Sequence, residues 1–448
     1  MNLHSLLARR AEESGPVRVG VIGAGKFASM FLTQALNQDW VHVVGVADLA
    51  ADRARAALQR TGWPAERYAA AGFEEALRTG GTHVTESADD LVSAPGIEVI
   101  LEITGDPIAG AWHALRAIEE GSHVIMVNVE ADCMVGPVLA ARARSAGVVY
   151  AMAYGDQPAL ICELVDWCRT VGFDVVAAGK GTKYLPEYHA STPDTVWSYY
   201  GFSEEQVAAG GFNPQMFNSF LDGTKSAIEM AAVANATGLE PQDEGLLFPP
   251  AGVDDLPAVL RPAAAGGALT RTGTVEVCSS LERDGTPVER DLRWGVYVTF
   301  EARTEYAVRC FDEYGVLTDP SGRVGSLYRP YHLIGLELAV SIASAVVRGE
   351  PTGSPTGFRA DVMAVTKRAL RAGETLDGEG GYMVYGRLAP TGVSLAARAL
   401  PIGLAHGFRL VSDVPAGAVL RWDDVEVDES VTAVRLRREL ETTLRPAP

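Results

Sequence analysis

Runs of Val, Ile and Leu that do not alternate with polar residues recur through the first third of the chain, at VRVGVI (17–22), VHVVGVA (41–47), IEVILEIT (97–104), SHVIMVN (122–128) and VVYAMA (148–153). Such runs suit strands of a parallel sheet that is covered on both faces. Between them lie stretches with helical spacing: FASMFLTQA after the first run, LAADRARAAL after the second, AGAWHALRAIEEG after the third and residues 134–146 after the fourth. The alternation predicts a doubly wound α/β unit over residues 1–155.

The pattern then changes. A helix is expected over 157–171, followed by FDVVAAGKGTKYLPEY (173–188), a strand running into a Gly loop. Residues 213–238 predict one amphipathic helix with Met216, Phe220, Ala227, Met230, Ala231 and Ala234 on its apolar face. TVEVCSSL, LRWGVYVTFEA and YAVRC, within 273–310, alternate and predict antiparallel strands with a hairpin at Arg283 to Gly285. RPYHLIGLELAVSIASAVVRGEPTG (329–353) predicts a long helix with Pro330 near its start. Beyond about residue 354, Gly-rich turns separate short β runs, and RAGETLDGEG and PAGAVLRWDDV share an AG-x-x-L core. The expected fold class is α/β: a Rossmann doubly wound parallel sheet, an α+β substrate and dimerisation domain (156–355), and a small β-rich C-terminal module (356–448).

Composition narrows the partners. A formal charge of −19 repels nucleic acid and anionic membranes at long range, so neither is an expected partner. The longest apolar stretch, Leu333 to Val347, is interrupted by Glu337 and is too short to span a bilayer. The N-terminus MNLHSLLARRAEESG lacks the apolar core of a secretory signal, and the five cysteines form no CxxC pair. These features lead to the expectation of a cytoplasmic protein with reduced thiols.

Candidate chemistry begins at GAGKFA, where Gly23, Gly25, Lys26, Phe27 and Ala28 stand between a strand and a helix, as the dinucleotide fingerprint requires. Gly23 permits the turn, Gly25 admits a pyrophosphate and Ala28 keeps the helix close to the sheet. Asp48 ends the next strand, where it either accepts from the adenosine ribose or caps the following helix. Arg53 and Arg55 either hold a 2′-phosphate or are solvated, so the cofactor is NADP or NAD. Thr104, Gly105, Asn128 and Glu130 fall at C-terminal strand ends, where they either meet the nicotinamide half of the cofactor or serve as loop and cap residues. Lys180 and Lys183 flank a Gly-Thr pair and read as an anion site or as surface lysines. Asp222, Lys225 and Glu229 are spaced by three and four, which makes them an exposed ion-pair stripe or an active-site lysine among acids. Asn218 and Ser219 on the same segment, with Arg329 and His332 at the start of the expected late helix, are candidate substrate-binding residues, and His332 reads equally as a structural histidine.

GAGKFA with ADL, GKGTKY, MFNSFLDGTKSAIEMAAVANATG, YRPYHLIGLELA and PAGAVLRWDDV together resemble a homoserine-dehydrogenase-like family of NAD(P)-dependent oxidoreductases with a C-terminal SAF module. The resemblance is to its 1-deoxy-D-xylulose 5-phosphate reductoisomerase-like type. It implies a homo-oligomeric enzyme that transfers hydride to the carbonyl of a small anionic substrate. Its best specific guess is reductoisomerisation of 1-deoxy-D-xylulose 5-phosphate to 2-C-methyl-D-erythritol 4-phosphate, a step of isoprenoid biosynthesis. It places Lys225, Asp222, Lys183 and Glu229 in the catalytic set, with Lys225 on the enolate and alkoxide and Lys180 with Lys183 on the phosphate. The chain departs from homoserine dehydrogenases in two places. Asp222 and Lys225 are three residues apart where four is usual, and Asn128 is followed by Val129 and Glu130 where a lysine is usual. The alternatives are a reductase of another semialdehyde or sugar acid and a non-catalytic dinucleotide sensor. No acid cluster has metal-ligand spacing, so a divalent metal, required by standard reductoisomerases, is left unassigned.

Overall fold

The computed structural model describes residues 2–210 and 212–443. The last five positions of the expected C-terminal module, 444–448, lie outside the described residues. Two compact units emerge, one from residues up to 160, 333–356 and from 431 onward, the other from 161–332 and 357–430.

In the first unit β1 (Val17–Ile22), β2 (Val41–Ala47), β3 (His83–Thr85), β4 (Val99–Glu102), β5 (His123–Met126) and β6 (Tyr150–Met152) form one sheet in the order β3-β2-β1-β4-β5-β6. Every neighbouring pair is parallel. The apolar runs fit because both faces are covered: Val19, Val21, Leu101 and Ile125 join a core with Phe31, Leu32 and Leu58. The helices α1 (Lys26–Ala35), α2 (Ala51–Arg60), α3 (Pro107–Glu119) and α4 (Val129–Ala146) alternate with these strands. The expected helix at 134–146 starts earlier, at Val129, because Asn128 caps it through a bond from Ala131 N at 3.0 Å. Its burial on nearly all sides removes the amphipathic signal that would have marked the start.

The expected long helix over 329–353 does not form. Arg329 ends a strand, and only Ala339–Ala343 and a following turn of π-helix, Ser344–Arg348, are helical. Gly335 closes on the start of α1, where a Cβ would stand 2.7 Å from Phe27 O. Leu338, Ile342 and Ala345 still enter the first core, so the apolar spacing was real but served a bent segment. The helix Thr432–Thr443 also belongs to this unit, with Arg437 fully buried, paired with Glu441 at 2.9 Å and donating to Met134 O at 3.3 Å.

In the second unit β7 (Asp174–Thr182), β8 (Thr274–Ser279), β9 (Val296–Glu301) and β10 (Val324–Arg329) form a sheet in the order β10-β9-β7-β8. The expected turn at Arg283 to Gly285 forms, with Leu281 and Pro287 bridged antiparallel around it, but β8 and β9 do not pair with each other: they flank β7 on opposite sides, and β8 runs parallel to it. YAVRC is helical within Glu305–Glu313, started by Thr304, whose hydroxyl accepts from Ala307 N at 3.2 Å. The single helix expected over 213–238 is two, α5 (Pro214–Leu221) and α6 (Thr224–Thr237), broken at Gly223 with φ 86°.

The remaining strands are β11 (Ala360–Thr366), β12 (Thr375–Asp377), β13 (Val384–Pro390) and β14 (His406–Arg409). They pair antiparallel as β11–β13 and β12–β14, and the first pair packs on α6. The two AG-x-x-L copies sit in equivalent turns, with Leu376 and Leu420 both buried. Among the described residues no helix is long and apolar enough to cross a membrane.

Candidate functional site

The strand order of the first unit reverses between β1 and β4, and dinucleotides bind beyond the C-terminal strand ends at such a point. Gly23 follows β1 with φ 98°, and a Cβ there would lie 2.9 Å from Ile103 O. No larger residue fits that turn. Gly25 caps α1, and a Cβ on it would meet nothing within 4 Å. Gly25 thus adds no bulk beside the N-terminus of α1, whose first N–H groups have no partner within the helix and suit a pyrophosphate. Ala28 is buried against the sheet, Phe27 packs on the same core and Lys26 is exposed on the first turn.

Asp48 ties this turn to the end of β2. Its Oδ2 accepts from Ala24 N at 2.8 Å, and its Oδ1 accepts from Ala50 N at 3.1 Å and Arg53 Nε at 2.7 Å. The helix cap is Ala50, not Asp48. Arg53 lies against the Asp48 carboxylate, whereas Arg55 pairs with Asp52 at 3.2 Å on the exposed face of α2. Asn128 is a brace between loops: its Nδ2 donates to Asp106 O at 2.8 Å and reaches Thr104 Oγ1 at 3.3 Å. Thr104 in turn donates to the buried Glu102 carboxylate. Gly105 is exposed, and Glu130 is half-buried on the first turn of α4.

The second unit separates residues that look adjacent along the chain. Lys180 is not on a loop. It lies inside β7, buried, and forms an ion pair with Glu229 of α6. Its glycine neighbours serve the sheet, because a side chain on Gly179 or Gly181 would run into Glu276 O or Leu292 O. Glu229 therefore faces β7 and forms no exposed stripe with Asp222, which precedes α6 at the end of α5. Lys225 is half-buried in the first turn of α6.

Lys183 stands just past β7, and its Nζ donates to Tyr199 O at 2.5 Å. It lies 5.7 Å from the centre of the Tyr200 ring, and Arg293 lies 5.6 Å from the same ring. Burial first, and then the Arg293 charge, pull the Lys183 ammonium below its ordinary value. Among the described residues neither cation has a carboxylate partner. Register brings Arg329 to the same end of the sheet, since Val296 pairs with both Lys180 and Arg329. Arg329 lies over the Tyr331 ring at 5.4 Å. His332 is not at a helix start: its Nδ1 hydrogen donates to Trp294 O at 2.8 Å.

Asn218 and Ser219 are buried and engaged by protein. Asn218 exchanges hydrogen bonds with Ser191 and donates to Gly380 O at 2.8 Å, and the Ser219 hydroxyl donates to Met216 O at 2.8 Å. They hold α5 in place and present no free polar atom to a substrate.

Asp222 is fully buried. Its Oδ1 accepts from Thr224 N at 2.9 Å, and its Oδ2 lies 2.7 Å from Lys367 Nζ. Burial pushes this carboxyl above the usual range, while Lys367 and Thr224 oppose the rise. The Asp222 carbonyl accepts from His189 Nδ1 at 2.7 Å, and Tyr184 donates to His189 Nε2 at 3.0 Å. Burial keeps His189 neutral by lowering its affinity for a proton. His189 also stacks on Tyr385 and, with Gly223, Ala227, Phe248, Gly386 and Arg387, lines a pocket beside the α5–α6 break. Tyr200, pushed up to about 12 mainly by burial, feels both Arg293 and Asp222.

Sequence reasoning missed Arg293, His189, Tyr184, Tyr200 and Lys367. One signal was available. Only five of the 38 basic residues are lysines, at 26, 180, 183, 225 and 367. A chain that uses arginine almost everywhere keeps lysine where a compact or titratable ammonium is needed. Among the described residues no group of three His, Cys, Asp or Glu side chains is placed to hold a metal.

Comparison with known proteins assigns three regions. Residues 17–126 match the oxidoreductase family with an NAD-binding Rossmann fold, residues 155–338 match the oxidoreductase DRL catalytic domain, and residues 361–426 match the SAF domain. No curated protein matches the chain. Among solved structures, a probable dehydrogenase from Thermotoga maritima is similar at 14% identity over 75% of this chain and 90% of its own, with a TM-score of 0.37. An aldose-aldose oxidoreductase from Caulobacter crescentus is similar at 12% identity over 76% and 92%, with a TM-score of 0.37. A 3-ketoreductase from Actinomadura kijaniata, solved with NADP, shares 18% identity over 38% and 50%, with a TM-score of 0.27. The chain is an NAD(P)-dependent oxidoreductase that joins an NAD-binding Rossmann region to a DRL-type catalytic region and a SAF region.

Proposed function

We propose that this oxidoreductase acts on the carbonyl of a small anionic substrate, with the anionic group held at Lys183 and Arg293 and the carbonyl oxygen at Lys225. The observation that carries this reading is the pair of cations on the Tyr200 ring without a carboxylate partner among the described residues. Two like charges held together cost energy, most of all where one is partly desolvated, and an anionic ligand would relieve that cost. In a chain of net charge −19, such a spot is a local exception that attracts an anion.

The nicotinamide cofactor, when bound, supplies the hydride. The side chains of this chain do the rest. Lys225 sits in the first turn of α6, where the helix dipole disfavours a cation. A residue placed against its local preference is characteristic of a functional position. Its ammonium would polarise the carbonyl and stabilise the developing alkoxide. Lys183 and Arg293 would orient the substrate by binding it equally in ground and transition states.

Two cations suit a dianionic phosphate better than a monoanionic carboxylate. This favours a phosphorylated ketose over a semialdehyde or a sugar acid. 1-deoxy-D-xylulose 5-phosphate is the best specific candidate, with 2-C-methyl-D-erythritol 4-phosphate as its product. The test follows NADPH absorbance with this compound, homoserine and sugar acids as substrates. Turnover should occur with a phosphorylated member, and Lys183→Ala or Arg293→Ala should raise KM by about tenfold or more while kcat falls less. Loss of kcat at unchanged KM would move these cations into the chemical step. No turnover of any carbonyl, with NADPH still bound, would favour a dinucleotide sensor.

A further inference from the structure

We infer that Lys367, supplied by the SAF-matching region, is a positioning residue of the substrate site: by holding Asp222 it sets the α5–α6 break that carries Lys225. The inference rests on the reading of Lys225 given above. Lys367 is almost wholly buried: its Nζ donates to Ser191 O at 2.8 Å and Gly381 O at 2.8 Å and forms an ion pair with Asp222 Oδ2 at 2.7 Å. The same acid caps Thr224 N, the residue that immediately precedes Lys225. A shift of Asp222 would therefore be felt at the first turn of α6.

Neutral bonds already fasten residues 377–386 to these helices. Gln215 donates to Asp377 O at 2.8 Å and Glu379 O at 2.9 Å, Asn218 donates to Gly380 O at 2.8 Å, and Gly386 N donates to Thr224 Oγ1 at 2.8 Å. A buried ion pair adds little as a further fastener, because desolvation offsets much of its attraction. Its distinctive property is charge at a fixed place beside the break. Lys367 is also one of only five lysines, and Lys180, Lys183 and Lys225 belong to the same unit.

The experiment uses full-length protein labelled with 13C at lysine Cε, whose five signals are assigned by single Lys→Arg changes. Wild type, Lys367→Met, Asp222→Asn and the double variant are compared by lysine NMR, melting temperature and NADPH titration. Lys367→Met should lower the melting temperature and displace the Lys225 signal. The double variant, which buries no lone charge, should regain most of the melting temperature but keep the displaced Lys225 signal. On any substrate that wild type reduces, its kcat should fall about tenfold or more, with KM and NADPH affinity nearly unchanged. A double variant in which the Lys225 signal and turnover both return to wild type would make the pair a fastener only and overturn the inference. An unmoved Lys225 signal in Lys367→Met would overturn it too. If wild type reduces no carbonyl, the functional reading fails, and the NMR result still decides whether Lys367 positions Lys225.

Discussion

Tyr150 donates a hydrogen bond of 2.8 Å to Asp132 Oδ1 inside the first unit, while Asp132 Oδ2 has no hydrogen-bond partner among the described residues. Both side chains are buried, and burial pushes the Asp132 carboxyl up to about 7 from 3.8. The folded state thus keeps a proton that the unfolded chain has already released. Stability is greatest below the unfolded value, declines as pH rises towards about 7 and then levels off. The loss amounts to roughly 4 kcal/mol at about 1.4 kcal/mol per pH unit. Asp132→Asn keeps an acceptor for Tyr150 and removes the ionisation. Its melting temperature should exceed that of wild type at pH 8 and approach it at pH 5. Glu276, also pushed up to about 7 by burial, gives both proteins the same background slope. Equal differences at the two pH values would mean that Asp132 does not titrate as stated.

Gly25→Val should abolish dinucleotide binding without unfolding the protein. A Cβ at this position has no protein atom within 4 Å, so the fold can accept it. The branched side chain would fill the space over the α1 N-terminus that the pyrophosphate requires. Circular dichroism and an NADPH fluorescence titration check the two halves. Retained affinity would remove the cofactor assignment from this turn.

Arg53 lies against Asp48 and is more than half exposed, so it can neutralise that acid and still meet a 2′-phosphate. Arg53→Ala should weaken NADPH binding by about 1.5–3 kcal/mol, the usual range for a charged hydrogen bond, and leave NADH binding nearly unchanged. Equal loss for both cofactors would show that Arg53 serves only to hold Asp48 and the turn.

Lys225→Met keeps the aliphatic stem and removes the ammonium. If that charge stabilises the alkoxide, kcat should fall by roughly a hundredfold or more, the scale for loss of one oxyanion donor. NADPH affinity and melting temperature should barely move. Near-normal turnover would send the search for the catalytic group to Lys183 or His189.

The sequence by itself determined five strands of the parallel sheet and the glycine turn after β1, because in a parallel sheet covered by helices each strand is a local apolar run and each glycine requirement arises within its own turn. VRVGVI, VHVVGVA and Gly23 could be read for that reason, with strand ends shifted by a residue or two. Only the tertiary structure decided the rest. Whether β8 pairs with β9 or with β7 is a choice between distant partners that alternation cannot express. YAVRC was too short to separate strand from helix by period, and a Thr cap settled it. The spacing of Asp222, Lys225 and Glu229 suggested one stripe, but Gly223 breaks the helix and burial turns Glu229 to Lys180. Asp222 found its partner at Lys367, far along the chain. A buried charge must be paired wherever the fold brings an opposite charge within reach, and chain spacing carries no record of that approach.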